Sequence, residues 1–188
     1  MRSKGLFLLG LVALSAAVLP GRANAEGEAV TAASPPDERA RFAGTYTYAG
    51  SAAEEAGRRA AIDRGIASLF FAIRGIARSR LSGGTKIEPW VSFGFDAGMI
   101  RVRVPSSPQA SSPEQGPDVD YGNGDDKAKL SQRIGAGKVI QRFVASEGQR
   151  MNEWVRSPDG KTLTLKATIS SPKLTAPVVY TLTYKRSS

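Results

Sequence analysis

The sequence predicts a mainly β domain, an eight-stranded antiparallel meander that closes into a barrel and carries a helix or a broken helix pair between its first two strands. Two patterns predict this fold. Apolar and polar residues alternate with a period of two along most of the chain after residue 86, and short turns separate the runs. Between residues 51 and 81, the apolar residues instead follow the period of an amphipathic helix. A closed barrel leaves no open sheet edge, and eight strands enclose room for side chains and one small ligand.

The first strand and the helical segment that follows it have clear signals. Residues 42–48 alternate between large and small side chains, which predicts a strand. Ser51–Glu54 has the spacing of a capping box, so a helix is expected to begin there. An unbroken helix to Leu81 would be about 45 Å long, longer than a small barrel is wide. We therefore expect a break near Gly65, because glycine lowers helix propensity by about 1 kcal/mol relative to alanine.

The rest of the chain is predicted to form strands. Two of them, 87–95 and 100–104, flank the turn Asp96–Gly98. Pro105–Pro117 contains four prolines and is too polar to pack, so a long loop is predicted that extends to residue 127. The last five strands, separated by turns rich in Gly, Ser and Pro, are expected at 128–134, 139–145, 150–156, 162–169 and 178–185.

The N-terminal residues have the order of a secretory signal peptide. Two basic residues precede the apolar stretch Gly5–Leu19, which is shorter than the roughly 20 residues of a membrane-spanning helix. Cleavage is expected after Ala25, and removal of the signal lowers the formal charge from +9 to +6. The chain is thus predicted to be periplasmic or secreted. Its expected division is a signal peptide at 1–25, a flexible leader at 26–40 and a barrel domain at 41–188.

Composition excludes several kinds of chemistry. The chain has no cysteine, which excludes disulfides, thiolate nucleophiles and a lipoprotein anchor. It has no histidine, which excludes a Ser-His-Asp triad and imidazole metal ligands. Neither a nucleophile elbow nor a nucleic-acid recognition motif is present, and the basic residues are spread along the whole sequence. We expect a protein that is not an enzyme, uses no cofactor and binds no nucleic acid.

Three features occur together along most of the mature chain: Phe42-x-Gly44-x-Tyr46 on the first strand, a helical insert directly after it, and a meander ending in 180–186. In this combination the chain resembles the lipocalin and fatty-acid-binding-protein group of barrels, the calycins. It departs from the Arg-x-Tyr motif that holds a fatty-acid carboxylate in intracellular members, because Leu182 stands two residues before Tyr184. The resemblance implies a barrel that holds a small apolar or amphipathic molecule in its interior.

Six aromatic or basic residues share strand or helix faces with aliphatic residues and are candidates for ligand contact. Arg142 would need an anionic partner if it faced inward, either Glu153 or a ligand head group. Its alternative is to face solvent while Val139 and Phe143 fill the core. Arg80 either faces the barrel mouth or interacts with the helix C-terminus. The six candidates are Tyr46, Arg80, Phe93, Arg142, Trp154 and Tyr180.

Two surface features have a functional and an ordinary interpretation. Phe71 lies on the basic side of the predicted helix, where it could contact an anionic membrane together with Arg64, Arg74 and Arg78. Single exposed aromatic residues are also common on protein surfaces. Asp118–Asp126 carries carboxylates of the type that binds calcium, and a solvated turn is its alternative.

Two functions of different classes remain. The first is an exported protein that binds an apolar or amphipathic, lipid-like molecule inside its barrel, with affinity from burial of apolar surface. The alternative is a filled barrel without a cavity that acts as a structural or protein-interaction module of the cell envelope. The sequence does not distinguish between them, because side-chain volumes alone do not define the space left inside a barrel.

Overall fold

The computed structural model describes residues 36–122 and 127–187. The predicted signal peptide, the leader up to residue 35 and residues 123–126 lie outside this description. Within the described ranges the chain forms three helices and ten strands. In chain order they are α1 (Pro36–Phe42), β1 (Gly44–Tyr48), α2 (Ala52–Gly65), α3 (Phe71–Gly84), β2 (Trp90–Asp96), β3 (Met99–Arg103), β4 (Ala110–Pro113), β5 (Val119–Tyr121), β6 (Ala128–Gly135), β7 (Lys138–Ala145), β8 (Gly148–Arg156), β9 (Thr162–Ser170) and β10 (Val178–Arg186).

The strands form one antiparallel sheet in the order β4-β3-β2-β1-β10-β9-β8-β7-β6-β5. The first and last strands of the meander meet, with Tyr48 opposite Tyr184 in the β1–β10 pair. β4 and β5 are the two edge strands of this sheet, and β4 lies next to β6. The sheet therefore curls into a nearly closed barrel with a gap between its edges. Beside this gap, the amide of Gln132 on β6 donates to the carbonyl of Ile100 (2.9 Å) and to Oγ of Ser112 (3.2 Å). The mainly β fold class is confirmed.

The predicted number of strands is wrong, since ten are present in the described ranges instead of eight. The extra strands, β4 and β5, lie within the segment 105–127 that was predicted as a loop. Both are short, and β4 consists of small and polar residues and a proline while β5 has only three residues, so neither shows the apolar alternation of a longer strand. Each pairs with its neighbour along the chain: β4 pairs with β3, and β5 pairs with β6.

The helical segment is broken where the sequence predicts. Helix α2 ends at Gly65, where an added Cβ would lie 2.7 Å from a methyl carbon of Val178, so glycine permits a close approach to β10. The prediction of a capping box is wrong in detail, because the Ser51 side chain forms no capping hydrogen bond. The Glu54 carboxylate instead accepts hydrogen bonds from the backbone N–H (3.0 Å) and the hydroxyl (2.6 Å) of Thr183. This interaction ties α2 to β10.

Helix α1 closes one end of the barrel, which we call the base. It begins inside the predicted leader, so residues 36–40 form part of the folded domain. Arg39 forms a salt bridge with the buried Glu114 (2.6 Å), and the Glu38 carboxylate accepts from the backbone N–H of Gly137. At the same end, the guanidinium of Arg186 lies 5.7 Å from the ring centre of Tyr46. These contacts order a segment whose own apolar content is low.

Aromatic side chains fill the barrel from the base to its middle. The ring of Phe93 contacts Phe42 at 5.6 Å and Tyr46 at 6.0 Å between centroids, both edge to face. Trp154 contacts Phe93 at 5.4 Å and Tyr184 at 5.7 Å. All five side chains are buried. We call these residues the aromatic core, and its rings pack in the tilted geometry that aromatic pairs prefer.

Candidate ligand site at the barrel mouth

A cavity lies at the end of the barrel opposite α1, which we call the mouth. It encloses about 70 Å³. One side is formed by Gly83 and Gly84 at the end of α3, and another by Ser106–Pro108, between β3 and β4. Further into the barrel, its wall is formed by Gln141, Phe143, Arg150, Asn152, Trp154, Leu165, Tyr180, Leu182 and Tyr184. Inward-facing positions of four consecutive strands, β7 to β10, therefore contribute to one wall.

Arg150 is the basic residue on the inner wall. It is half-buried, and its Nε donates to Oδ1 of Asn152 (2.8 Å) while Nη1 donates to the carbonyl of Gly84 (2.9 Å). Nη2 donates to the Tyr180 hydroxyl (3.4 Å). A guanidinium has five N–H groups, so two of them lack a partner among the residues that the structure describes. No carboxylate in that part of the chain forms a salt bridge with Arg150.

A chain of polar side chains supports Arg150 from inside the barrel. Gln141 accepts at one oxygen from Asn152 (3.4 Å) and from the indole N–H of Trp154 (2.8 Å). Its amide nitrogen donates to Oε1 of Gln132 (2.8 Å). Buried amides without partners would be costly. Here they are connected to one another, which holds Asn152, and through it Arg150, in position.

The end of α3 is held by two arginines, one from β8 and one from α2. Arg150 reaches the carbonyl of Gly84 from the barrel wall. From α2, the buried Arg58 donates to Oγ1 of Thr85 (2.8 Å), and that hydroxyl donates in turn to the carbonyl of Leu81 (2.7 Å). Since carbonyls at a helix C-terminus carry partial negative charge, both arginines stabilise this end of the helix. The rim of the cavity is therefore fixed to the sheet.

Charge at the mouth is predominantly positive. Lys86 and Arg150 contribute two cations, while Glu88 contributes one carboxylate. That carboxylate accepts hydrogen bonds from the backbone N–H (3.3 Å) and the hydroxyl of Ser106. Among the described residues, Glu88 forms no ion pair with Lys86 or Arg150, so both cations remain available to an anion that enters the cavity.

Two tyrosines on the cavity wall are held in their neutral form. Burial raises the pKa of Tyr184 far above its usual value, Tyr180 and Glu88 raise it further, and the charge of Arg150 opposes the shift. Burial also raises the pKa of Tyr121, against the opposing effects of a hydrogen bond with Ser107 and the charge of Arg150. Both phenols therefore keep their protons at neutral pH.

Comparisons with solved structures identify the architecture. Lipid binding protein 8 of Caenorhabditis elegans has a TM-score of 0.50 at 10% identity, covering 79% of this chain and 96% of that one. An abundant heat soluble (SAHS) protein of Ramazzottius varieornatus has a TM-score of 0.50 at 9% identity, covering 78% and 96%. A Schistosoma mansoni fatty acid binding protein has a TM-score of 0.47 at 17% identity, covering 80% and 99%.

The fold is that of the calycin barrels. Identities of this size support the fold alone, and the resemblance predicted from the sequence is confirmed at that level. No protein-family model matches the sequence, and no curated protein matches it.

Of the six candidate ligand residues, two line the calycin cavity. Trp154 and Tyr180 are both on its wall. Tyr46 and Phe93 lie deeper, in the aromatic core, and the Tyr46 hydroxyl donates to the carbonyl of Phe42 (3.2 Å). Tyr46 and Phe93 each pack against neighbouring rings. Ligand contact stays a prediction for all four aromatic residues.

The two arginines proposed from the sequence do not enter the cavity. Arg142 is exposed on the outer face of β7 and donates from Nε to Oε1 of Gln149 (3.3 Å). Val139 and Phe143 are buried instead, which is the alternative the sequence left open. Arg80 is also exposed. A strand has two faces, and the alternation of Arg142 with aliphatic residues did not indicate which face is inside.

Arg150 was missed, although the sequence carries a signal for it. Arg150, Asn152 and Trp154 occupy alternate positions of β8 and thus share a strand face. Placing Trp154 inside the barrel places Arg150 inside as well. Lys86 lies before the start of β2, and only the tertiary structure brings it to the mouth.

The predicted surface patch on the helices is exposed but mostly engaged. The ring of Phe71 is 75% exposed and that of Phe70 is 66% exposed, with centroids 4.8 Å apart. Arg74 donates to the carbonyls of Ala67 (2.7 Å) and Leu69 (2.9 Å). Arg78 forms a salt bridge with Asp63 (2.9 Å), and Arg64 is exposed. Phe70, which precedes α3, doubles the aromatic surface expected from Phe71 alone.

The acidic stretch Asp118–Asp126 is described only in part, since residues 123–126 lie outside the described ranges. Asp120 forms an exposed salt bridge with Lys129 (2.8 Å). Among the described residues no cluster of three or more acidic side chains could hold a metal ion. No helix in the same ranges is long and apolar enough to cross a bilayer.

Proposed function

We propose that this protein is an exported carrier or sensor that binds a small amphipathic anion at the mouth of its barrel. The single observation that carries the proposal is Arg150, a half-buried guanidinium on the cavity wall without a carboxylate partner among the described residues. A partly buried arginine favours carboxylate-type ligands, since its planar fork matches their geometry. Lys86 at the rim supplies a second positive charge.

The apolar part of the ligand would contact the aromatic and aliphatic side chains of the same wall. Phe143, Trp154, Leu182 and the rings of Tyr180 and Tyr184 form this surface. Ligand sites usually combine such a surface with a few polar groups that orient the molecule. Here the orienting groups are Arg150 and Asn152, supported by Gln141. The fold itself is compatible with this role and supports nothing more specific.

NMR titration with butanoate and palmitate tests the proposal, with the indole N–H of Trp154 as a probe inside the cavity. At least one of the two acids is expected to shift this resonance of the wild-type protein. Arg150→Met should weaken that binding at least tenfold, because the loss of a charge-assisted hydrogen bond removes about 1.5–3 kcal/mol. Butanol, which has the chain but no charge, should bind more weakly than butanoate.

Arg142→Met is the matched control, since it removes an arginine from the outer face of the neighbouring strand. It should bind like the wild type. Equal binding by the wild type and Arg150→Met, or no binding of either acid, would reject the proposal.

The alternative function is a structural or protein-interaction module with a filled barrel. The observation that favours it is the aromatic core, which occupies the barrel from the base to its middle. Mass spectrometry of the protein purified under native conditions separates the two functions. A small anion retained by the wild type and lost from Arg150→Met supports ligand binding, whereas absence of any such molecule together with failed titrations supports the module.

We also propose contact with an anionic membrane through Phe70 and Phe71. Two adjacent exposed rings can insert among lipid head groups, and the exposed Arg64 of α2 adds a positive charge to the helical surface. The double variant Phe70→Ser/Phe71→Ser should lose sedimentation with vesicles that contain phosphatidylglycerol. Val179→Ser, which replaces a 40% exposed valine on the sheet, should sediment like the wild type. Equal sedimentation of all three proteins would reject the contact.

Export is proposed from the signal-type sequence at 1–25. Expression of the full chain in a Gram-negative host, followed by intact-mass measurement of the periplasmic fraction, tests it. The expected species begins at Glu26. A cytoplasmic product that retains Met1 and the residues after it would contradict export.

A further inference from the structure

We infer that the ligand is a short-chain carboxylate, of about three to four carbon atoms within the barrel, and that long-chain fatty acids are excluded. The inference rests on the proposed function, because it specifies the ligand class of the same Arg150 site. It is carried by the cavity volume and by the aromatic core below the cavity.

The first argument is volume. The cavity encloses about 70 Å³. An apolar cavity of about 150 Å³ in a protein holds one benzene ring, or roughly 25 Å³ per carbon atom. On this scale the cavity has room for about three carbon atoms. A chain of sixteen carbons would need several times the space that exists there.

The second argument is that the space below the cavity is already occupied. Trp154 lines the cavity, where we call it the floor, and packs edge to face against Phe93 and Tyr184. Phe93 is in turn enclosed by Phe42 and Tyr46. A long chain could enter only by displacing these rings from a close-packed arrangement. The floor is also held by the hydrogen bond from the Trp154 indole to Gln141 (2.8 Å).

The third argument is the position of the charge. Arg150 donates to Gly84 at the rim and to Asn152 on the wall, so its guanidinium lies at the height of the cavity itself. A carboxylate bound there directs its chain either toward the Trp154 floor or out past Gly83 and Gly84. Only the first few methylenes can thus be buried against protein.

The test is a chain-length series of straight carboxylates, from acetate to palmitate, titrated into the wild-type protein with the Trp154 indole N–H as the NMR probe. Trp90→Phe assigns the resonance, because the chain has two tryptophans. Each buried methylene should strengthen binding about fourfold. We expect this gain up to butanoate or pentanoate and no further gain beyond, so that palmitate binds no more tightly than pentanoate.

Leu182→Ala should lengthen the preferred chain. Leu182 is buried on the cavity wall, and its truncation removes three carbons, which roughly doubles the available volume. The longest chain that still gains affinity should increase by two to three carbons. Leu163→Ala is the matched control, since Leu163 is equally buried but lies outside the cavity lining. It should lose stability without altering the preferred length. If Leu182→Ala does not fold, Leu182→Val should still lengthen the preference by one carbon.

The outcomes separate this inference from the function on which it rests. Arg150-dependent affinity that keeps rising to palmitate in the wild type would overturn the length limit and leave the proposed function standing. An unchanged preferred length in the folded Leu182 variants would also overturn the limit. If no acid of any length binds in an Arg150-dependent manner, the proposed function and the inference both fail.

Discussion

The two ends of this barrel are built from different side chains. At the base, Phe42, Tyr46 and Phe93 pack ring against ring beneath α1. At the mouth, strand β8 contributes polar side chains to a cavity, with Arg150 and Asn152 on its wall. The difference shows that a calycin barrel can divide its length between a stabilising core and a small polar site. Stability is expected to depend on the base, and binding on the mouth.

The largest expected effect is at the base. Phe93→Ala should lower the free energy of unfolding by about 3–5 kcal/mol, because it leaves a cavity surrounded by rings. Phe143→Ala, at the cavity wall, should lower the free energy of unfolding by a smaller amount, because Phe143 already borders open space. Urea denaturation of both variants measures the difference. Equal losses would show that base and mouth are packed alike.

The salt bridge under α1 should have the next largest effect. Arg39→Met should lower the free energy of unfolding by about 1.5–3 kcal/mol, since Glu114 is buried and its bond is charge-assisted. Arg78→Met, which removes the exposed pair with Asp63, should cost less than about 1 kcal/mol. The same urea titrations test both. A negligible loss for Arg39→Met would show that α1 does not contribute to closing the base.

Alkaline pH should destabilise the protein partly through Tyr184. Burial raises its pKa in the folded state, so above about pH 10 the unfolded chain releases the proton first and unfolding becomes more favourable. This contribution is fully present below pH 10 and is lost as the pH rises. Between pH 7 and pH 11, the Tyr184→Phe variant should lose about 1.4 kcal/mol less of its free energy of unfolding than the wild type. Thermal unfolding at pH 7, 10 and 11 measures it, and identical pH dependence of both proteins would contradict the assignment.

The smallest effect is expected outside the barrel. Arg142→Ala should change the free energy of unfolding by less than about 0.5 kcal/mol, because the side chain is exposed and bonds only to Gln149 in the described part of the chain. It should leave carboxylate binding unaltered. A loss of binding in this variant would show that Arg142 contributes to the ligand site.

Local patterns predicted much of this fold. Period-two alternation located the long strands, because successive side chains in a strand point to opposite faces. The break of the helical segment at Gly65 followed from the low helix propensity of glycine. Strands β4 and β5 could not be predicted, because their polar sequences are extended only by pairing with neighbours in the sheet.

Glu54 shows why a correct local signal can have a different partner. Its spacing from Ser51 predicted a capping box and located the start of α2 correctly. The carboxylate bonds to Thr183 instead, more than a hundred residues away. The sequence can locate a polar group that needs a partner, but it does not indicate which distant strand will supply that partner.

The sequence alone determined the order of the eight long strands, the broken helical segment between the first two of them and the absence of cysteine and histidine chemistry, since these depend on neighbouring residues and on composition. The tertiary structure alone decided that Arg150 faces the cavity while Arg142 faces solvent, and that aromatic rings fill the base while the mouth stays open. The physical reason is that alternation defines two faces of a strand, whereas sheet closure and packing against distant residues select the inner face and the space that remains within it.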